Sequence, residues 1–217
     1  MSALAIAHRA GNSLEGLRTA NALRADVIEC DVHEHRGRIE VRHLKTAGPL
    51  PFLWDRGQLV SASAPRLGLD QLLEADHHGT TLMLDLKGRR ISTARAVVTL
   101  LRQVAHERPM LVCGRHWSSV DAVASLPGVR PVMSARNRLE LNRLRRRLAT
   151  GARVHGASIH RSLLDEDLVA DLHDRVDTVM TWPVNTVACL DSVLAMGVTG
   201  VISDEQDVLS ELISRRG

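Results

Sequence analysis

In the stretch Val27-Ile28-Glu29-Cys30-Asp31-Val32, two acids alternate with apolar residues. Successive side chains of an extended strand point to opposite faces, so Glu29 and Asp31 share one face while Ile28, Cys30 and Val32 share the other. The apolar face is expected to lie under helices, which turns both acids inward. Two neighbouring buried carboxylates are costly unless a cation or protons neutralise them.

On either side of this stretch, short β-like runs alternate with helical patterns from end to end. The strand candidates are residues 4–7, 27–32, 82–86, 110–113, 129–133, 154–159, 178–181 and 200–203. Helical patterns follow each, for example 14–23, 69–75, 92–106 and 163–173, mostly with apolar residues at three- and four-residue spacing. Eight β-then-α units in a chain of 217 residues predict a closed (β/α)8 TIM barrel, a single compact α/β domain over residues 1–217, rather than an open doubly wound sheet. The link after the second strand is irregular. Arg36-Gly37-Arg38 reads as a turn and residues 39–43 as a second β-like piece. Residues 44–66, rich in Gly, Pro, Ser and Ala, read as a surface loop over one barrel mouth.

Hydrophobic residues make up 44% of the chain and aromatic ones 2%, with no Tyr and one Phe. The core is therefore built from Leu, Val, Ala and Ile, which suits strands packed under helices better than a β-sandwich. Lys and Arg number 28 against 25 Asp and Glu, and the Arg residues cluster between Arg136 and Arg147. Such a run reads as a solvated helix face, and no nucleic-acid partner is expected. Cys30, Cys113 and Cys189 lack metal-ligand spacing and read as buried reduced thiols of a cytoplasmic protein. The stretch before the first motif is too short for a signal peptide, and no apolar stretch approaches the ~20 residues of a membrane helix.

In a parallel barrel, chemistry gathers where strands end and βα loops begin. His8 and Arg9 end the first strand, His43 closes the hairpin piece, and Asp85 and Lys87 end the third strand. Glu29, Asp31 and Asp85 are candidates to converge on one divalent cation, and all-oxygen ligation favours magnesium or calcium over zinc. The plainer reading pairs these acids with Lys87 or Arg alone. His8 and His43 flank the same mouth, where two imidazoles suit general acid and base work. Arg9 and Lys87 supply cations for a phosphate. His33, His35, His77, His78, His106 and His173 read as solvated, while Arg115, His116 and His160 remain pocket candidates.

The series Ala7-His8-Arg9-Ala10-Gly11-Asn12, Ile28-Glu29-Cys30-Asp31-Val32 and Val41-Arg42-His43 closely resembles the opening of the glycerophosphodiester phosphodiesterases. Leu84-Asp85-Leu86-Lys87, Thr181-Trp182-Pro183-Val184-Asn185 and the run from Gly197 to Asp204 are similar to later motifs of that family, in the same order. The resemblance implies a metal-dependent phosphodiesterase that hydrolyses glycerophosphodiesters, or lysophospholipid-like diesters, to a glycerol 3-phosphate-type product and an alcohol. It implies magnesium or calcium, with manganese as a third option, held by Glu29, Asp31 and Asp85. Arg9 and Lys87 would take the phosphate, His8 and His43 would share the acid and base roles in either order, and Asn12, Trp182 and Asn185 would line the pocket. For Asn185 a helix cap is an equal alternative. The chain departs from the family pattern at Ala10, Gly11, Leu44 and Asp85, and against that family residues 44–66 form a shortened cover loop after the second strand. Those departures are the ground for an alternative function, a phosphodiester or lipid-headgroup binding module. A sugar-phosphate isomerase or aldolase is disfavoured, because Trp182-Pro183 and Ser203-Asp204 stand where Gly-rich phosphate loops are expected. The oligomeric state is left open.

Overall fold

The structure is a computed structural model that describes residues 2–46, 50–55, 58–61, 63–88, 91–104 and 108–216. In chain order it begins with β1 (Leu4–Ala7), α1 (Leu14–Leu23), β2 (Val27–His35) and β3 (Arg38–Val41). Then come β4 (Lys45–Thr46), β5 (Phe52–Asp55), β6 (Gln58–Ser61), α2 (Leu69–Ala75), β7 (Thr81–Leu86) and α3 (Ile91–Gln103). Next are β8 (Met110–Gly114), α4 (Trp117–Ala124), β9 (Val129–Ala135), α5 (Arg138–Ala149), β10 (Gly156–His160) and α6 (Glu166–His173). The chain closes with β11 (Thr178–Trp182), α7 (Val187–Ala195), β12 (Gly200–Ser203) and α8 (Gln206–Ser214). The parallel strands run in the order β1, β12, β11, β10, β9, β8, β7, β2, and β1 also pairs with β2, which closes the expected (β/α)8 TIM barrel.

The alternation of side chains builds two separate apolar layers. Ile28, Cys30, Val32, Leu82, Leu84 and Leu86 face outward and pack with helix residues such as Leu17, Leu144 and Leu172. Ile6, Val27, Met83, Leu111, Cys113, Val132, Met180 and Ile202 fill the barrel interior. Gly200 makes room there, since a Cβ at that position would lie 2.7 Å from Met180 Cγ. Above this plug the inward positions of β2 are Glu29 and Asp31, 3% and 0% exposed. Burial of an apolar layer below thus places the polar layer at one end, the mouth.

Helix starts are set by local hydrogen bonds. The side chains of Ser13, Asn137, Asp165 and Thr186 accept the backbone N–H of Gly16, Glu140, Leu168 and Cys189. On α5, Leu141, Leu144 and Leu148 are buried, and the arginines lie on its outer side. Several of these are paired: Arg145 with Asp171 at 3.1 Å, Arg147 with Asp121 at 2.6 Å, and Arg143 4.5 Å from the Trp117 ring centroid.

Some expectations are corrected. β2 runs to His35 and forms a hairpin with β3, matching His33 to Glu40 and His35 to Arg38. Residues 44–66 are not wholly loop, because β4, β5 and β6 form a small antiparallel sheet. Two apolar pieces, Phe52-Leu53-Trp54 and Leu59-Val60, are short enough to be masked by the surrounding Gly, Pro and Ser. Helix α6 starts at Glu166, after a 3-10 turn over Arg161–Leu163, and α3 starts at Ile91. Residues 105–107, at the expected end of α3 and including His106, lie outside the described residues. Cys30 and Cys113 are buried free thiols, whereas Cys189 is only half-buried.

Candidate active site

The first βα turn seats the carboxylates. Arg9 adopts left-handed backbone angles, φ 56° and ψ 8°, a strained conformation for a residue with a side chain. In that conformation its N–H donates to Glu29 Oε2 at 2.6 Å. Ala10 instead begins a 3-10 turn over Ala10–Asn12, so its methyl meets no left-handed penalty. Gly11 lies against β2, where a Cβ would sit 2.7 Å from Cys30 Cβ. This contact brings Asn12 to Asp31: Asn12 Nδ2 donates to Asp31 Oδ2 at 2.7 Å, and the Asp31 N–H donates to Asn12 Oδ1 at 2.8 Å.

Asp31 and Asp85 are register partners on adjacent strands. With Glu29 they form a group whose carboxylate oxygens lie within 4.8 Å of one another. Lys87 bridges Asp31, at 2.5 Å from Oδ1, and Asp85. The Lys87 ammonium, held by these acids, is pushed above its ordinary pKa even though burial alone would lower it. Burial, with the charge of Asp31, pushes Glu29 up to about 7. Asp31 moves the other way. Burial would raise it, but the charge and hydrogen bond of Lys87 and the amide of Asn12 outweigh this and lower it. Arg9 Nε is buried without a hydrogen-bond partner and lies 3.8 Å from Asp31 Oδ2, beyond hydrogen-bond reach.

His8 follows β1 on the same mouth. Its Nδ1 meets Asp204 Oδ1 at 2.8 Å and its Nε2 lies 3.9 Å from Glu29 Oε2. An ionised carboxylate only accepts, so Nδ1 carries the proton and Nε2 faces the acids. Burial would lower the His8 pKa, but the hydrogen bond to Asp204 and the charges of Glu29 and Asp204 outweigh it and raise it. The same bond holds Asp204 at about 2. Asn185 braces this carboxylate, donating to Asp204 Oδ2 at 3.4 Å and accepting the Asp204 N–H at 3.3 Å. Thr186, not Asn185, caps α7.

His43 is half-buried beyond the end of β3. The preceding residue, Arg42, donates its N–H to the Asp31 carbonyl at 2.9 Å, and the charge of His43 is one of the influences that lower the pKa of Asp31. Trp182 stands across the mouth, its ring edge-on to His160 with centroids 5.0 Å apart. His116 turns instead to Ser119, at 2.7 Å, and Arg115 pairs with Glu140. A cavity of about 250 Å³ lies between β3 and the segment that follows it, lined by Asn12, Val41, Arg42, Val60, Pro65 and Arg66 among others, and of these Asn12 alone touches the carboxylate group, through Asp31.

Two residues escaped the sequence reading. Asp204 is legible only once closure sets β12 beside β1, with Ser203 matched to Ala7; the available signal was an acid just after the last strand. His33 is not solvated as expected. It shares the strand face of Glu29 and Asp31, its Nε2 is buried without a hydrogen-bond partner, and burial with the charge of Arg42 lowers its pKa to about 3.

No family model and no curated protein matches the sequence. Solved structures do match. A phosphodiesterase from Oleispira antarctica, in complex with the product sn-glycerol-3-phosphate, superposes with a TM-score of 0.76 at 19% identity, over 96% of each chain. A glycerophosphodiester phosphodiesterase from Parabacteroides distasonis gives 0.74 at 20% identity, over 100% of this chain and 99% of the other. One from Thermotoga maritima gives 0.75 at 13% identity, over 100% and 99%. The chain has the glycerophosphodiester phosphodiesterase fold. At the C-terminal mouth of this barrel, contacts join Arg9 to Glu29, Asn12 to Asp31, Lys87 to Asp31 and Asp85, and His8 and Asn185 to Asp204. The small sheet of β4, β5 and β6 is the cover that this barrel carries after its second strand.

Proposed function

We propose that the protein is a metal-dependent phosphodiesterase that hydrolyses glycerophosphodiesters to a glycerol 3-phosphate-type product and an alcohol. The observation that carries this reading is the His8–Asp204 pair, with Nε2 turned toward the three-carboxylate group. The carboxylates fit a hard divalent cation. Oxygens within 4.8 Å of one another suit ligands at about 2.0–2.6 Å from a single magnesium or calcium ion, and Glu29 is a buried acid lacking a full counter-charge. Manganese suits the same oxygen donors. Glu29, Asp31 and Asp85 would hold the cation, which when bound draws negative charge from a phosphoryl oxygen.

The chain's own groups do the rest. Arg9 Nε, buried without a hydrogen-bond partner, takes a phosphate oxygen, and Lys87 takes another. Asp204 fixes the His8 tautomer so that Nε2 accepts or returns a proton at the reacting oxygens. His43 serves the opposite proton transfer, with either order compatible with the site. Asn12 keeps Asp31 oriented, Asn185 keeps Asp204 oriented, and Trp182 walls the pocket.

A second reading, headgroup binding without turnover, draws on the seat of Lys87. By bridging Asp31 and Asp85 it neutralises part of the cluster with no metal. Hydrolysis by the purified protein separates the two, tested on glycerophosphocholine, glycerophosphoethanolamine, a lysophospholipid and bis(p-nitrophenyl) phosphate. Magnesium, calcium or manganese is added, or a chelator. Metal-dependent turnover lost in His8→Ala and in His43→Ala is expected. Full activity in either variant removes that residue from its role, and silence across the panel from a folded protein leaves the binding module.

A further inference from the structure

The chain has one Phe and three Trp and no Tyr, and two of these four side chains occupy one hairpin at the mouth. In β5 and β6, Trp54 is matched to Leu59 and Phe52 to Ser61, so Phe52, Trp54 and Leu59 share a face. They are 46%, 44% and 72% exposed, and Leu50, just before β5, is 60% exposed. The opposite face holds Leu53, which is buried, and Val60, which lines the cavity that also meets Asn12 and Arg42. Strands apolar on both faces are normally covered on both, and exposed apolar side chains grouped in this way mark an interaction surface where isolated ones do not.

The hairpin's position narrows the partner. The chain enters this segment after Arg42, level with Asp31, and returns at Leu67, whose carbonyl accepts the Val41 N–H at 2.9 Å. The apolar face therefore stands at the end of the barrel where the site opens. The β2–β3 tip projects from that end too, with Arg36 and Arg38 exposed. Aromatic and leucine side chains beside arginines complement the boundary between acyl chains and anionic headgroups. The exposed apolar area is on the order of 400 Å², taking side chains of about 150–250 Å² each, and falls short of the roughly 800 Å² per partner of a stable protein interface.

We propose that the face carrying Phe52, Trp54 and Leu59 docks on an anionic lipid bilayer, with Arg36 and Arg38 among the headgroups, so that the mouth receives diesters borne by lipid. The choice of substrate rests on the phosphodiesterase reading; the docking does not.

Co-sedimentation with vesicles tests the docking, using phosphatidylcholine alone and phosphatidylcholine with phosphatidylserine. The intact protein should bind the mixed vesicles, and Phe52→Ser/Trp54→Ser/Leu59→Ser should lower the bound fraction about ten-fold. Arg36→Glu/Arg38→Glu should weaken binding to the mixed vesicles only. Trp fluorescence should shift to the blue on binding, and the shift should vanish in Trp54→Ser. A thermal transition matching the parent's shows that each variant is folded. Failure of the parent to sediment overturns the proposal, as does equal binding by the triple variant. Concentration-dependent dimerisation that the triple variant abolishes overturns it in favour of a second copy. Hydrolysis of soluble bis(p-nitrophenyl) phosphate, measured without lipid, reads the chemistry separately and should be equal in parent and triple variant. Silence there removes the phosphodiesterase reading and leaves docking to be judged by sedimentation.

Discussion

Asp204 and His8 exchange stability with pH in a definite window. The folded pKa of His8 is raised above 6.5, so its contribution is full below about 6.5 and fades as pH rises through the raised value. Asp204 is held at about 2 against 3.8, so its contribution is full above 3.8 and is lost as pH falls toward 2. Asp204→Asn should therefore destabilise most between these limits, by no more than about 1 kcal/mol because the carboxylate is partly exposed, as thermal melts across pH would show. It should also lower kcat/KM roughly a hundred-fold and move the His8 limb of the pH–rate profile to lower pH. An unmoved limb would remove Asp204 as the positioning residue. Glu29 behaves in the same sense as His8 and opposite to Asp204. Its carboxyl is raised from 4.5 to about 7, so the metal-free protein should lose stability as pH rises across that interval, by about 3 kcal/mol. Glu29→Gln should abolish most of that loss, and magnesium or calcium should raise the melting temperature more at pH 8 than at pH 5. A pH-independent melting temperature in the metal-free parent would contradict the burial of an uncompensated acid.

Among the elements, the first βα turn governs the site. Gly11 lets the 3-10 turn lie on β2, and that contact delivers Asn12 to Asp31. Gly11→Ala should cost about 1–3 kcal/mol through overpacking against Cys30 and weaken metal binding by displacing Asn12, measured by denaturant unfolding and by metal titration. Retained affinity would show that Asn12 follows Asp31 without help from the turn. This part of the design was only half legible. The alternation in 27–32 announces inward acids, and a Gly in a turn is unremarkable in sequence. Which strand the Gly touches is a tertiary fact. The cover was less legible still, because β5 and β6 are short and lie among turn-forming residues.

For the whole molecule, closure is the central event. β1 is held by β2 on one side and β12 on the other, so residues at opposite ends of the chain share a ladder. Removal of residues 200–217 exposes both β1 and β11 and takes Asp204 with them. The shortened chain is expected to lose its cooperative thermal transition, read by circular dichroism. A sigmoidal melt in that variant would show that the remaining strands are stable as an open sheet.

From the sequence alone came the eight alternating units, the closed barrel they imply, the inward acids of β2 and the ring of polar residues at strand ends. These rest on local periodicity, and a two-residue or three-to-four-residue repeat is a property of the chain itself. The tertiary structure alone decided the partnership of His8 with Asp204, the seat of Lys87 between Asp31 and Asp85, the burial of the His33 Nε2 and the apolar outer face of the cover. Each depends on which distant segments meet and on how much water their meeting excludes. Hydrogen-bond reach and desolvation act through space, and no spacing along the chain encodes them directly.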